Sequence, residues 1–415
     1  MSEIIQPASA DDVVETLNWG LERKTTFEVM GRGSKLGLGH AVDAEYVLDL
    51  SKLSGVDFYQ PEELVLSASP ATPMDEIKAL LSTNRQQLAF EPPDLSAHLG
   101  KKPDAGTLGG VLACDLAGPR RIKMGSARDH FLGFDAVSGR AEIFKSGGRV
   151  MKNVSGFDLS KLMAGSLGTL AVMTRVIVKT MPVAEKTRTV LIGFKSGETK
   201  AGIQCLMDAL GSPHDVSGAA FVPEKLTKRC SVELVKNAGC GVAALRIEGP
   251  PSSVEFRCRA IRESCPDAVF VEELHSVNSG KFWQEVRDVT MLNPEFYGAD
   301  TNQMLWRISV PPSGAAAVAG RISEKISGDV FHDWGGGLLW LKCPCDDTGN
   351  ADAADWLRAV VNDVKGHATL MSAPETVKQS VPVFHPAAAP MARLAKNIRN
   401  AFDPEGLLNP GRMGT

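Results

Sequence analysis

Met30-Gly31-Arg32-Gly33-Ser34-Lys35-Leu36-Gly37-Leu38-Gly39 decides how the rest of the chain is read. Four glycines in residues 31–39 let successive backbone N–H groups turn to one side and line a concavity suited to an anionic pyrophosphate. Arg32, Ser34 and Lys35 add donors and positive charge there. The stretch is not a Rossmann fingerprint, because counting G-x-G-x-x-G from Gly31 puts Leu36 where the third glycine belongs. It also lacks the G-K-[ST] ending of a P-loop. Taken alone, a mobile glycine turn explains it equally well.

Two further clusters shift the balance. Glu91-Pro92-Pro93-Asp94 is a rigid turn, followed by Gly106-Thr107-Leu108-Gly109-Gly110-Val111-Leu112-Ala113. Gly118-Pro119-Arg120-Arg121 and Gly125-Ser126-Ala127-Arg128-Asp129 come next. The third cluster runs Lys152-Asn153-Val154-Ser155-Gly156-Phe157-Asp158 and continues to Gly165-Ser166-Leu167-Gly168-Thr169-Leu170. Short apolar runs between them read as strands at 47–50, 64–66 and 170–180, with a helix at 74–81. This pattern predicts an α+β domain over 1–182 whose loops hold a large ligand.

Beyond residue 183 the texture changes. Strands are predicted at 189–194, 242–247, 305–310 and 338–342, and helices at 200–210, 254–264, 314–326 and 348–359. Two rounds of strand, helix and strand predict an antiparallel sheet with helices on one face over 183–386. Residues 387–402 are amphipathic and helical, and Asp403-Pro404-Glu405-Gly406 turns them into Leu407-Leu408-Asn409-Pro410-Gly411-Arg412. A terminus so rich in rigid turn residues reads as a docked segment, 387–415. No internal repeat is visible.

Composition bounds the function. The 415 residues suggest two or three domains, and 43% hydrophobic with 23% charged residues is ordinary for a globular chain. A net charge of −4 argues against a nucleic-acid surface or a polybasic membrane tether. No apolar run approaches the roughly 20 residues of a spanning helix. The first twelve residues lack a basic head and an apolar middle, so a cytoplasmic chain without an export signal is expected. The eight cysteines are dispersed, with Cys343-Pro344-Cys345 the nearest pair, and read as indifferent thiols. The histidines are scattered too, so no metal site is expected.

The order and spacing of the glycine clusters, with the terminal Asn409-Pro410-Gly411-Arg412-Met413, resemble the flavin domain of the vanillyl-alcohol oxidase and cresol methylhydroxylase superfamily. Three segments are closer still to the FAD-binding small (E) subunits of bacterial glycolate oxidase: Ala113 through Arg121, Val150 through Asp158 and Leu305 through Pro312. Asp333-Trp334-Gly335-Gly336 is similar as well. The resemblance covers essentially the whole chain. It implies a two-part FAD-binding domain of the cresol methylhydroxylase type, an α+β (ferredoxin-like) cap and a tail returning to the flavin. It implies FAD held by Arg32, Gly33, Ser34, Lys35, Leu36, Gly37, Pro92, Pro93, Thr107, Leu108, Gly109, Gly110, Ala113, Gly118, Gly125, Ser126, Arg128, Asp129, Gly156, Gly168, Thr169, Leu170 and Asn409. Asn409 would offer its amide to the polar edge of the flavin ring.

The family oxidises glycolate to glyoxylate in a complex with a paralogous flavoprotein (D) subunit and an iron–sulfur (F) subunit. Covalent members carry a histidine in the first loop; Ser34 and Lys35 stand here, so non-covalent FAD is expected. In related D-2-hydroxy-acid dehydrogenases, histidines and a glutamate hold a divalent metal beside the flavin. Glu273-Leu274-His275 lacks their glycines and paired histidines. The resemblance therefore implies a redox subunit that assists or relays electrons for a catalytic partner. A stand-alone 2-hydroxy-acid dehydrogenase and a non-redox scaffold of the same fold are the alternatives. Arg307 is the candidate clamp for a substrate carboxylate, against a strand-end arginine tied to a structural acid. His332 beside Asp333 is the candidate base, against a solvated turn histidine.

Overall fold

The computed structural model describes residues 3–149, 156–298, 302–345 and 350–414. Lys152, Asn153, Val154 and Ser155 of the third glycine cluster lie outside them. The chain divides into two compact units. Unit 1 comprises Met1–Ala117, Gly125–Val183 and Pro382–Thr415, and unit 2 comprises Gly118–Met124 and Ala184–Val381.

Unit 1 holds three sheets. Strands β1 (Glu3–Ile5), β2 (Phe27–Met30) and β3 (Tyr46–Asp49) pair in parallel in the order β1-β3-β2. Strands β4 (Val56–Gln60), β5 (Val65–Ala68), β7 (Phe131–Ser138), β8 (Ile143–Gly147) and β9 (Ala171–Lys179) form an antiparallel sheet in the order β4-β5-β9-β7-β8. Strands β6 (Gln86–Gln87) and β10 (Met181–Pro182) pair antiparallel on their own. The helix Ala10–Arg23 starts at a reciprocal cap, where Ser9 and Asp12 each satisfy the other's backbone N–H. Its buried face, Val13, Leu17 and Gly20, meets a core of Phe27, Leu48, Leu50, Leu407 and Leu408. Gly20 is required there, since a Cβ would sit 2.4 Å from the Phe27 ring.

Unit 2 is built on one antiparallel sheet of eight strands. They are β11 (Lys186–Phe194), β12 (Val216–Val222), β13 (Gly241–Gly249), β14 (Val271–Leu274), β15 (Gln303–Ser309), β16 (Asp329–Asp333), β17 (Leu338–Pro344) and β18 (His367–Ser372). Their order is β14-β11-β13-β12-β16-β17-β15-β18. Read from either edge to the middle, each half runs fourth, first, third, second strand. Each half also carries a helix after its first strand (Thr199–Gly211; Pro312–Lys325) and after its third (Pro251–Glu263; Asn350–Asn362). The sheet is thus one strand-helix-strand-strand-helix-strand unit used twice, joined where Phe221 of β12 pairs with His332 of β16. The sequence shows no such repeat, so this duplication is topological.

The structure also corrects the expected boundaries. Residues 382–386 belong to unit 1, and Gly118–Met124, expected in the flavin domain, belongs to unit 2. The reason lies in Arg120, whose guanidinium makes a two-pronged bond to Glu248 at 2.7 and 2.9 Å. The helix Ala389–Phe402 has no buried residue, though the Phe402 ring at its end lies 5.7 Å from that of Phe144, and beyond it Asp403 accepts from the N–H groups of Leu407 and Leu408.

Burial alone would raise the Glu248 carboxyl, but Arg120, Arg246 and Ser217 outweigh it and hold the group at about 2, against 4.5 for a free one. A depressed carboxylate contributes stability that is complete above about pH 4.5 and is lost as pH falls towards 2. The contribution is about 3 kcal/mol. Arg120→Met should cost about 3 kcal/mol at pH 7 by stranding a buried charge. Denaturant titrations at pH 7 and pH 3 check this: the variant's deficit should shrink at the lower pH.

Candidate functional site

Strand β2 ends at Met30 and delivers the glycine loop to the rim of a cavity in unit 1, enclosing about 720 Å³ including its open mouth. One wall is the loop from Met30 to Leu36; another is the helix Leu108–Cys114, through Gly109, Gly110, Ala113 and Cys114. Leu167, Gly168, Ala171 and Met173 supply a third side, with Leu50, Pro70 and Ala71 below. Arg412 reaches in from the C-terminal segment.

The cavity has a polar end and an apolar end. At the polar end, the N–H groups of Arg32, Gly33, Ser34 and Lys35 make no bond within the chain among the described residues. The first N–H groups of the helix Leu108–Cys114 are, by contrast, already used: Leu108 donates to Thr72 O, Gly109 to Pro70 O, and Gly110 to the Thr107 hydroxyl. Anion binding therefore falls to the loop. Two cations flank it. Lys35 Nζ lies 3.2 Å from Ser34 Oγ, and burial pushes its pKa down. Arg412, 5% exposed, donates to Lys35 O at 3.0 Å and faces Glu28 at 3.5 Å; burial lowers its pKa too. Burial raises Cys114, between them, so that it stays a neutral thiol.

Asn409 holds this arrangement together without lining it. Its Oδ1 accepts from the N–H of Val29 at 2.8 Å, and its Nδ2 donates to Leu167 O at 2.8 Å. The backbone follows suit: Asn409 N–H donates to Phe27 O, and Phe27 N–H to Leu407 O. Gly168, at φ +71°, is constrained by the same clamp, since a Cβ would lie 2.8 Å from Asn409 Nδ2. The expectation that Asn409 addresses the flavin ring is corrected: both ends of its amide are engaged by backbone.

Of the residues expected at the cofactor, Arg32, Gly33, Ser34, Lys35, Leu36, Thr107, Gly109, Gly110, Ala113 and Gly168 line the cavity. The others stand elsewhere. Gly37 packs on Leu99, Leu108 is core, and Pro92 and Pro93 are outside the lining. Gly125, Ser126, Arg128 and Asp129 build a local cap, in which Asp129 accepts from Ser126 N–H and Arg128 N–H donates to Asp115. Thr169 bonds Ser166 O, Leu170 is buried beside it, and Gly156 forms an open turn at φ +80°. Gly118 lies in unit 2, where its carbonyl accepts from the Trp334 indole at 3.1 Å. Sequence reasoning missed Arg412 as a cavity residue; its signal was a cation in an otherwise apolar and turn-forming tail.

Neither proposed catalytic residue lines this cavity; both belong to unit 2. Arg307, at the centre of β15, lies 5.1 Å from the Trp334 ring, and Arg121 lies 4.4 Å from the same ring. His332 is 1% exposed and packs near Phe221, and burial pulls its pKa to about 4. The expected His332–Asp333 pairing is corrected: Nδ1 of His332 has no hydrogen-bond partner among the described residues, and Asp333 accepts from the N–H of Trp334. Glu273 is engaged by Arg188 and Arg262.

Comparison with known proteins agrees with this geometry. Residues 1–147 match the FAD binding domain family. The chain is 32% identical to the glycolate oxidase subunit GlcE of Escherichia coli over 97% of its own length and 96% of that protein's. The chain belongs to the GlcE family of glycolate oxidase subunits. It is also 25% identical to the subunit GlcD of Bacillus subtilis, covering 99% of this chain and 88% of that one. In fold it is similar to 4-ethylphenol oxidase from Gulosibacter chungangensis, with a TM-score of 0.72, 14% identity and coverage of 99% and 88%.

The cofactor of this GlcE-family chain is FAD, and the cavity fits it. Unused N–H groups and two cations disfavoured by burial suit a diphosphate. Leu50, Ala71, Ala171 and Met173 suit a flat ring system. Lys35→Met and Arg412→Ala should each weaken FAD binding about 10–100-fold, the usual loss for one charged hydrogen bond. Removal of residues after Gly406 should do so more severely while leaving the secondary structure of unit 2 intact. Fluorescence titration of the apoprotein and circular dichroism read the two effects.

Proposed function

We propose that this chain is the FAD-carrying subunit of a glycolate oxidase, a cytoplasmic protein that binds its FAD without a covalent bond and works beside partner subunits to oxidise glycolate to glyoxylate. The observation that carries the reading is the likeness to GlcE along the whole chain, joined to a cavity whose loop and two cations suit a dinucleotide. The partners we assign are a paralogous flavoprotein subunit of the GlcD kind and an iron–sulfur subunit. Non-covalent binding follows from the loop, where Ser34 and Lys35 offer no ring nitrogen. His40 stands apart, 6.4 Å from the Phe384 ring and accepting from Val383 N–H.

Oxidation of a 2-hydroxy acid removes a hydroxyl proton and a hydride, and bound FAD supplies the acceptor for the hydride. The chain's own part is to hold the cofactor and orient the acid. Lys35, Arg412 and the loop N–H groups would hold the diphosphate, and the apolar wall would exclude water from the ring. Arg307, whose Cζ lies 5.1 Å from the Trp334 ring centroid, is the residue we assign to the substrate carboxylate, because a guanidinium matches both carboxylate oxygens. His332 is neutral at pH 7 and buried, and we give it no role beyond packing.

Purification of the chain alone and with its partner subunits tests the reading. The isolated protein should absorb at about 450 nm and release all its flavin on acid precipitation. Glycolate should bleach that absorbance slowly in the isolated chain and at least tenfold faster in the assembled complex. Flavin that stays with the acid pellet, or equal bleaching rates, would count against it.

A further inference from the structure

The helix Ala389–Phe402 belongs to unit 1 and buries none of its residues, yet its side chains divide cleanly. Met391, Leu394, Ala395, Ile398 and Phe402 recur at the i, i+3, i+4, i+7 and i+11 positions of one face. Arg393, Lys396 and Arg399 occupy the other side. The last turn touches the rest of the unit: the Phe402 ring lies 5.7 Å from that of Phe144, and Arg399 donates to Gly414 O at 3.4 Å. Before it, every residue from Ala389 to Asn397 is exposed, Met391 by 59% and Leu394 by 51%.

A helix of 14 residues is marginal in water by itself and owes its stability to a covered apolar stripe. Here the cover from the chain itself is confined, among the described residues, to the last turn. The charge on the helix says what completes it. It carries three basic residues and no acidic one, in a chain whose net charge is −4. Arg393 and Lys396 have no ion-pair partner among the described residues. The complementary surface is therefore an apolar groove that takes Met391 and Leu394, rimmed by Asp and Glu that meet Arg393 and Lys396. The same helix of a second copy does not fit, because it brings like charges together. A lipid surface fits less well, since helices that lie in one insert Trp, Phe and Leu. The one aromatic side chain here is turned towards Phe144, leaving a single Met and a single Leu.

We propose that the first two turns of this helix are the docking element for a partner subunit of the oxidase, entering an apolar, acid-rimmed groove on it. The proposal rests on the reading of this chain as one subunit of a complex, and it adds the surface by which the complex is held. The helix is continuous with the segment that carries Asn409 and Arg412. The partner thus grips the chain on the segment that also serves the FAD cavity.

The test measures the affinity of the FAD-loaded chain for the separately purified partner flavoprotein and iron–sulfur subunits of the same organism. Leu394→Asp should weaken binding to one of them about 10–100-fold, as for a buried apolar anchor. The pair Arg393→Glu and Lys396→Glu should weaken it about tenfold or more and flatten its dependence on salt. Lys281→Glu, on the exposed face of the helix Ser276–Asp288, should change neither. FAD content should be the same in every variant, because the helix buries no residue of its own. Full affinity in Leu394→Asp overturns the proposal and leaves the subunit reading standing. Failure of the unaltered chain to bind either partner overturns both. Loss, in Leu394→Asp, of binding to phosphatidylserine-containing vesicles or of self-association, with partner affinity intact, assigns the face to lipid or to a second copy and likewise overturns it.

Discussion

The side-chain amide of Asn409 is the contact on which the first unit depends. It joins the N–H of Val29, 380 residues away in sequence, to the carbonyl of Leu167, 242 residues away. One planar group thereby fixes the end of β2, the turn before β9 and the C-terminal segment. An amide suits this task because it offers a donor and an acceptor in one rigid plane. Aspartate could not donate and leucine could do neither. The cavity walls contributed by the glycine loop and by Gly168 inherit their spacing from that bond.

With the frame fixed, electrostatics shape the polar end. Lys35 and Arg412 come from opposite ends of the chain and are both partly stripped of water, which costs free energy unless an anion is near. Glu28 offsets one of them at 3.5 Å. The neighbouring helix contributes shape more than charge, because its leading N–H groups already bond Thr72, Pro70 and Thr107. A glycine at 109 is needed for that close approach: a Cβ would stand 2.6 Å from Pro70.

Unit 2 solves a different problem, that of covering a broad sheet. Using one fold unit twice places the two second strands at the centre, and two carboxylates of the sheet are met by networks of partners. Glu248 is held by Arg120, Arg246 and Ser217, and Asp329 by Lys225, Arg229 and Tyr297. The short segment Gly118–Met124 belongs to this unit because Arg120 completes one such network and Gly118 accepts from Trp334.

Local signals carried much of this protein. The glycine clusters, the strand at 171–179 and the helix at 74–82 are legible because spacing and side-chain type act over a few residues. The loop residues Arg32 to Leu36 and the Thr107–Gly110 turn were readable as a ligand cradle for the same reason. Strand β12, with its Ser217-Gly218-Ala219-Ala220 centre, was not, since small residues have weak strand preference and only neighbours on both sides make it a strand. Nor could sequence tell that Asn409 clamps backbone while Arg412 lines the cavity, or that Ser126 and Asp129 cap each other. Sequence by itself determined the loops, the periodicities and the family; which distant side chains meet was decided by tertiary structure, because a hydrogen bond depends on positions in space that no local pattern encodes.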